Sequence, residues 1–169
     1  MSGPHISVII PTKGRASLLL WNLRELRKQS IQPDLFEVIV VSDGDDLPDS
    51  IQKDLDQSLY PYNLNVYVKD QKGPASARNF GFSKSTGKIA LFIGDDCISD
   101  RNLLWRHFYT RHRLGYKHCA VQGYTLWHPE IPPDDFMNFL VEDSGIQANW
   151  KSLKTDDGKW KDQATSWFM

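Results

Sequence analysis

Residues 89–97 read I-A-L-F-I-G-D-D-C. An apolar run of five between Lys88 and Gly94 predicts a buried strand, so Asp95 and Asp96 emerge at its C-terminal edge, where open α/β sheets place their ligands. Adjacent aspartates after a strand are often only a solvated turn, because Asp tolerates turn geometry and hydrogen-bonds its own backbone. What tips the balance is that three other segments, distant in sequence, also end strand-length apolar runs in polar turns.

Working outward, the pattern alternates. Residues 6–10 (I-S-V-I-I) predict a first strand, stopped by Pro11 and the loop Thr12, Lys13, Gly14, Arg15. A helix is expected over residues 16–29, with Leu19, Leu23 and Leu26 at helical spacing and Pro33 closing it. Residues 38–41 form a second strand that ends in Ser42, Asp43, Gly44, Asp45 and Asp46, residues 51–59 a short helix, and residues 64–68 a third strand. Gly73 and Pro74 open a further helix that runs to about Ser85. Thr86 and Gly87 then feed the strand that leads to Asp95.

This β-α-β-α-β-α-β order predicts an α/β fold: a mostly parallel, Rossmann-like sheet flanked by helices, with right-handed crossovers. Parallel strands share one C-terminal edge. Thr12, Asp43 and the Asp95/Asp96 pair are therefore expected in one crevice.

Composition narrows the function classes. The 169 residues suit one domain, and 20 basic against 21 acidic side chains, net −1, give no global field for nucleic acid or an anionic membrane. No apolar stretch approaches the ~18 residues of a membrane span, and the N-terminus lacks a signal-peptide pattern. Two cysteines, Cys97 and Cys119, make no disulfide framework and favour a reducing cytoplasm. Asp43, Asp45 and Asp46 do not continue as a calcium loop, since Leu47 and Pro48 take the fifth and sixth positions. His107 and His112 are five apart, without the H-E-x-x-H zinc pattern. Neither a phosphate loop nor G-x-G-x-x-G follows the first strand.

Beyond Cys97, residues 102–114 predict an amphipathic helix with Leu104/Phe108 and Trp105/Tyr109 as i,i+4 pairs, and residues 119–126 a strand, both read as core. Residues 128–163 are rich in Pro, Asp, Lys and Gly and are expected as a mobile loop around a short helix at 134–142. Thr165, Ser166, Trp167, Phe168 and Met169 look like a strand cut in its middle.

Four segments together resemble the inverting nucleotide-sugar glycosyltransferases of family 2, which have the GT-A fold: I-S-V-I-I-P-T-K-G-R (6–15), V-I-V-V-S-D-G-D (38–45), G-P-A-S-A-R-N-F-G (73–81) and L-F-I-G-D-D (91–96). Each is weak alone; four in this order are specific. The resemblance covers about residues 6–126. It implies a single GT-A-like domain over 1–169, with residues 1–100 as the nucleotide-sugar-binding half and 101–169 as an incomplete acceptor-side half.

The resemblance also implies roles. Asp96 is the metal ligand for Mn²⁺ or Mg²⁺, a hard cation that keeps waters and needs only one or two carboxylates plus the diphosphate. Gly94 stands where the family often has the first Asp of a D-x-D triplet. Pro11, Thr12, Arg15, Asp43, Arg78 and Asp95 form the nucleotide site: Asp43 accepts from the uracil ring, Pro11 and Thr12 line the base, Asp95 serves the ribose or a metal water. Arg78, one turn inside its helix, reaches base or diphosphate; the ordinary alternative is a surface ion pair. Ala77 and Gly81 read as close helix packing. The partners are then a nucleotide-sugar donor, a UDP-sugar, and a carbohydrate or other hydroxyl acceptor, with no catalytic base named. The family places its base later, so residues 1–169 are expected to bind donor without transferring sugar and to self-associate. Transfer by this chain alone would instead point to Asp134, Asp135, Glu142 or Asp143. Two rival classes remain: a nucleotidyltransferase or retaining transferase on a related fold, and a non-catalytic nucleotide or glycan-binding module.

Overall fold

The computed structural model describes residues 3–44, 47–115, 120–140 and 156–157. The chain divides into two compact units, Met1–Gly123 and Tyr124–Met169.

The first unit is a four-stranded, all-parallel sheet in the order β3-β2-β1-β4, built from β1 (Ile6–Thr12), β2 (Phe36–Asp43), β3 (Asn63–Lys69) and β4 (Ile89–Phe92). Helices α1 (Ala16–Leu26), α2 (Asp49–Gln52), α3 (Pro74–Lys84) and α4 (Leu103–Leu114) follow the strands in turn. Side chains alternate across the sheet, so β1 and β2 feed two cores. Val8, Ile10, Val38 and Val40 pack with Leu19, Leu23 and Leu26 of α1 and Leu104 of α4, whereas Ile39 and Val41 pack with Ala77 of α3. The two layers account for every residue of β1 and β2 being buried.

Ala77 and Gly81 bring α3 onto the sheet, as their spacing suggests. A Cβ on Gly81 would stand 2.5 Å from Ile9 Cγ2. Gly87 lets β4 approach β1 in the same way, because its Cβ would stand 2.7 Å from Ser7 N and 2.8 Å from Ile6 C.

Several boundaries differ from the sequence reading. β1 runs through Pro11 rather than stopping before it, with Pro11 opposite Val41 and Thr12 opposite Ser42. Ile93 N–H donates to Ile9 C=O, so the odd-numbered peptides of β1 face β4. Pro11 thus lacks its N–H on the side of β4, at the last position of that pairing, and its register with β2 is kept. Helix α1 ends at Leu26 instead of 29. Residues 51–59 give α2 and two 3₁₀ turns rather than one helix. β4, read as a buried strand, is one of the two edge strands of the described sheet and leaves Phe92 46% exposed. Trp105 and Tyr109, read as core, stack on each other with ring centroids 5.0 Å apart but on the exposed side of α4. Residues 120–128 carry no regular secondary structure where a strand was expected.

In the second unit, the side chain of Asp134 caps α5 (Asp135–Asn138) by accepting from Met137 N–H at 2.7 Å. Trp127 Nε1–H donates to Met137 C=O. Glu142, Asp143, Cys119 and residues 165–169 lie outside the described residues. Among those that are described, no helix is long and apolar enough to cross a membrane.

Candidate functional site at the sheet's switch point

Strand order reverses between β1 and β4: α1 leads the chain from β1 to its neighbour on one side, while β4 adds on the other. Such a switch point opens a crevice at the strand C-termini. Thr12 and Arg15 follow β1 into it, and Asp95 and Asp96 follow β4.

The four side chains form one cluster. Thr12 Oγ1–H donates to Asp95 Oδ2 at 2.7 Å. Arg15 forks across both aspartates: Nε donates to Asp95 Oδ2 at 3.2 Å, Nη2 pairs with Asp95 Oδ1, and Nη1 donates to Asp96 Oδ2 at 2.8 Å. Burial works against the guanidinium's charge, but the two carboxylates outweigh it and push its pKa above the usual value. The aspartates are not equivalent. Asp95 has a fully buried side chain, whereas that of Asp96 is 47% exposed. Asp95 therefore anchors the loop, and Asp96 is the carboxylate that can meet a ligand.

Gly94 has a local reason. A Cβ there would stand 2.5 Å from Asp96 Oδ1 and 3.3 Å from Cys97 Sγ, so the absent side chain leaves room for Asp96 to fold back toward Arg15. Burial pushes the Cys97 thiol up, which makes it a poor ligand beside Asp96. From behind, Asn22 on α1 is fully buried and donates through Nδ2 to Gly94 C=O at 3.0 Å. Sequence reasoning missed this residue.

Asp43 sits at the end of β2, directly across from Lys69 on β3. Its Oδ1 accepts from Lys69 Nζ (3.1 Å) and Lys72 N–H (2.9 Å), and its Oδ2 from Gly73 N–H (2.7 Å). Asp43 thus ties the end of β2 to the turn where Gly73, at φ 90°, opens α3. That positive φ suits glycine alone without strain. Lys69 and Lys72 were not singled out by the sequence, and Asp43 gains a structural task beside the expected one. One lone pair of Oδ2 is left for a ligand. Arg78, one turn further into α3, is half-buried and makes no ion pair among the described residues, so the surface pairing named as its alternative is not found. Pro11 and Thr12 are both buried in β1, and the Thr12 hydroxyl is taken up by Asp95, so neither side chain is open at the surface.

The Lys72 and Gly73 amides, with Lys69, outweigh partial desolvation and hold the Asp43 carboxyl below the usual carboxylate range. A depressed folded-state pKa contributes stability that is complete above the ordinary carboxylate pKa and is lost as pH falls from there through the lower folded-state value. Asp43→Asn sets an amide N–H₂ against the Gly73 N–H or gives up the Lys69 pair. It is therefore expected to lower the melting temperature at pH 7 and to flatten the acid limb of the wild-type stability curve. Thermal melts between pH 3 and 7 check this; parallel curves for the two proteins would refute the tie.

Two shallow concavities, of about 420 and 490 Å³, lie at the far end of α1 from Arg15, lined in one by Ser30 and Trp105 and in the other by Arg27, Lys28 and Arg101. Neither is lined by Thr12, Arg15, Asp43, Arg78, Asp95 or Asp96. Among the described residues there is no group of three or more His, Cys, Asp or Glu that could hold a metal.

The glycosyl transferase family 2 pattern matches residues 7–126, and the chain belongs to that family. It is similar to the glycosyltransferase AglE of Haloferax volcanii, 32% identical over 105 residues that make up 61% of this chain and 34% of that protein. In structure it resembles S. aureus TarS 1–349 in complex with UDP-GlcNAc, with a TM-score of 0.57, 25% identity, and coverage of 64% of this chain and 31% of that one. It also resembles the mannosyltransferase PcManGT of Pyrobaculum calidifontis, in complex with GDP-Man and Mn²⁺, with a TM-score of 0.51, 25% identity, and coverage of 60% and 30%. The fold is that of the GT-A glycosyltransferases. The chain spans between 14% and 34% of the length of the curated relatives it matches.

Proposed function

We propose that this chain binds a nucleotide-sugar, a UDP-sugar, in the crevice between β1 and β4, for transfer of the sugar to a hydroxyl acceptor with inversion. The observation that carries this reading is the cluster of Thr12, Arg15, Asp95 and the half-exposed Asp96 at the switch point, with Asp43 at the neighbouring strand end and Arg78 one turn into α3. In this reading Asp43 Oδ2 accepts the uracil N3–H, Arg78 and Arg15 face the diphosphate, and Asp95 keeps the loop in place.

Metal fit follows from the donor set. Asp96 offers carboxylate oxygen to solvent beside a protonated thiol, which suits Mn²⁺ or Mg²⁺ with retained waters and diphosphate oxygens, and does not suit zinc. Such an ion, when bound, supplies positive charge against the departing diphosphate. Arg15 and Arg78 stabilise the same charge from the protein side. Inversion requires a general base to take the acceptor's proton. Asp134 is engaged as the cap of α5, and no residue is assigned that role. A cytoplasmic setting rests on the free thiol of Cys97.

Titration calorimetry with UDP, GDP, ADP and NAD, each with and without Mn²⁺, tests the reading. UDP with Mn²⁺ is expected to bind tightest, and at ~100 times its Kd to stabilise the fold by about 2.7 kcal/mol. GDP is the sharpest rival, because a carboxylate also accepts from guanine. Equal affinity for all four, or none for UDP at millimolar concentration, removes the UDP assignment. Product configuration in a transfer assay separates inversion from retention.

A further inference from the structure

We propose that Arg15 is an internal counter-cation for Asp96, which a divalent ion must displace, so that metal and diphosphate bind as a pair rather than independently. The proposal rests on the donor reading above. Arg15 sits at the start of α1, just after Gly14 at φ 64°, and Leu19 N–H donates to its carbonyl, so its backbone is fixed while its side chain stays half exposed. Its fork is unequal. Two of its nitrogens engage the buried Asp95, which Thr12 also holds, and a single one, Nη1, reaches Asp96.

That inequality makes Asp96 the releasable arm. A divalent ion seated on Asp96 competes with Nη1, which holds Oδ2, for the charge of one carboxylate, and stands close to a guanidinium that cannot lose its own charge. Metal alone therefore meets a repelling cation. A diphosphate placed between the two changes the sign: it accepts from the released Nη1 and ligates the metal, so each ligand removes the obstacle to the other. By linkage the coupling is reciprocal. Asp95 keeps the other side of the fork, so Arg15 turns toward the diphosphate without leaving the site.

Calorimetry and Mn²⁺ paramagnetic resonance on the full chain test this. In the wild type, Mn²⁺ and UDP are each expected to tighten the other by at least about tenfold. In Arg15→Gln, Mn²⁺ alone is expected to bind about tenfold tighter, UDP alone about tenfold weaker, and the coupling to fall several-fold. Arg15→Lys keeps a point charge without the fork and is expected to restore weak Mn²⁺ binding. A residue that merely props the loop would weaken both ligands together, so unchanged or weaker Mn²⁺ binding in a folded Arg15→Gln overturns the proposal. If that variant fails to fold, the wild-type cycle decides: independent binding of Mn²⁺ and UDP overturns it. Failure of UDP to bind at all defeats the donor reading instead, and leaves the tighter Mn²⁺ binding of Arg15→Gln as a separate result.

Discussion

Gly87→Ala is expected to destabilise the first unit by about 3 kcal/mol, lowering its melting temperature by roughly 10 °C. The added Cβ would stand 2.7 Å from Ser7 N and 2.8 Å from Ile6 C, and these are backbone atoms of the central strand β1, which cannot yield without breaking its pairing on both sides. Gly87 N–H also donates to Ser7 Oγ, whose own hydroxyl donates to Glu37 Oε1 at 2.7 Å. That carboxylate oxygen further accepts from Thr86 N–H and Thr86 Oγ1–H, both at 2.8 Å. Glu37 is only 3% exposed, so the turn from α3 into β4 hangs on one buried carboxylate. Its replacement by Ala leaves those donors unmatched and is expected to cost about 2 to 3 kcal/mol. Because both substitutions act through Ser7, the double mutant should lose less than their sum. Denaturant melts of the four proteins measure this, and strict additivity would show that the turn and the carboxylate are independent. Gly3→Ala, whose Cβ meets nothing within 4 Å, is the control.

What the sequence discloses and what it hides divide along a physical line. Strand existence was legible because 6–10, 38–41 and 89–93 are apolar runs of strand length, and parallel topology because helices separate them. The convergence of Thr12 and Asp95 followed from topology alone, and the 2.7 Å bond between them is its geometric form. The exposure of Phe92 and Trp105 was not legible, since an apolar residue does not reveal whether its neighbour in space is protein or solvent. Pro11 was misplaced because its effect depends on which neighbour its missing N–H faces. Glu37 and Lys69 act through partners 49 and 26 residues away, the first brought near by the order of the strands and the second by strand register. Asn22 left a trace: it shares the buried face of α1 with Leu19, Leu23 and Leu26, where a polar side chain must find a partner.

Asp96→Asn is expected to separate binding from folding more cleanly than any other change at the site. Asp96 is 47% exposed and, among the described residues, pairs with a half-exposed arginine, so losing its charge should shift stability by less than about 1 kcal/mol. The metal-dependent part of UDP affinity should instead fall by about thirtyfold or more, as for removal of one partner from a close charge pair. Without metal the sign is expected to reverse. Arg15 Nη1, no longer held by a carboxylate, is free for the diphosphate, so UDP alone should bind as well as or better than to the wild type. Asp95→Asn makes the opposite trade. Its side chain is fully buried between Thr12 and Arg15, so the substitution should cost about 2 kcal/mol of stability. Melting curves and UDP titrations with and without Mn²⁺, run on both variants, decide the assignment. If Asp96→Asn lost stability while UDP binding kept its metal dependence, Asp96 would be a turn residue and the ligand carboxylate would have to be sought elsewhere.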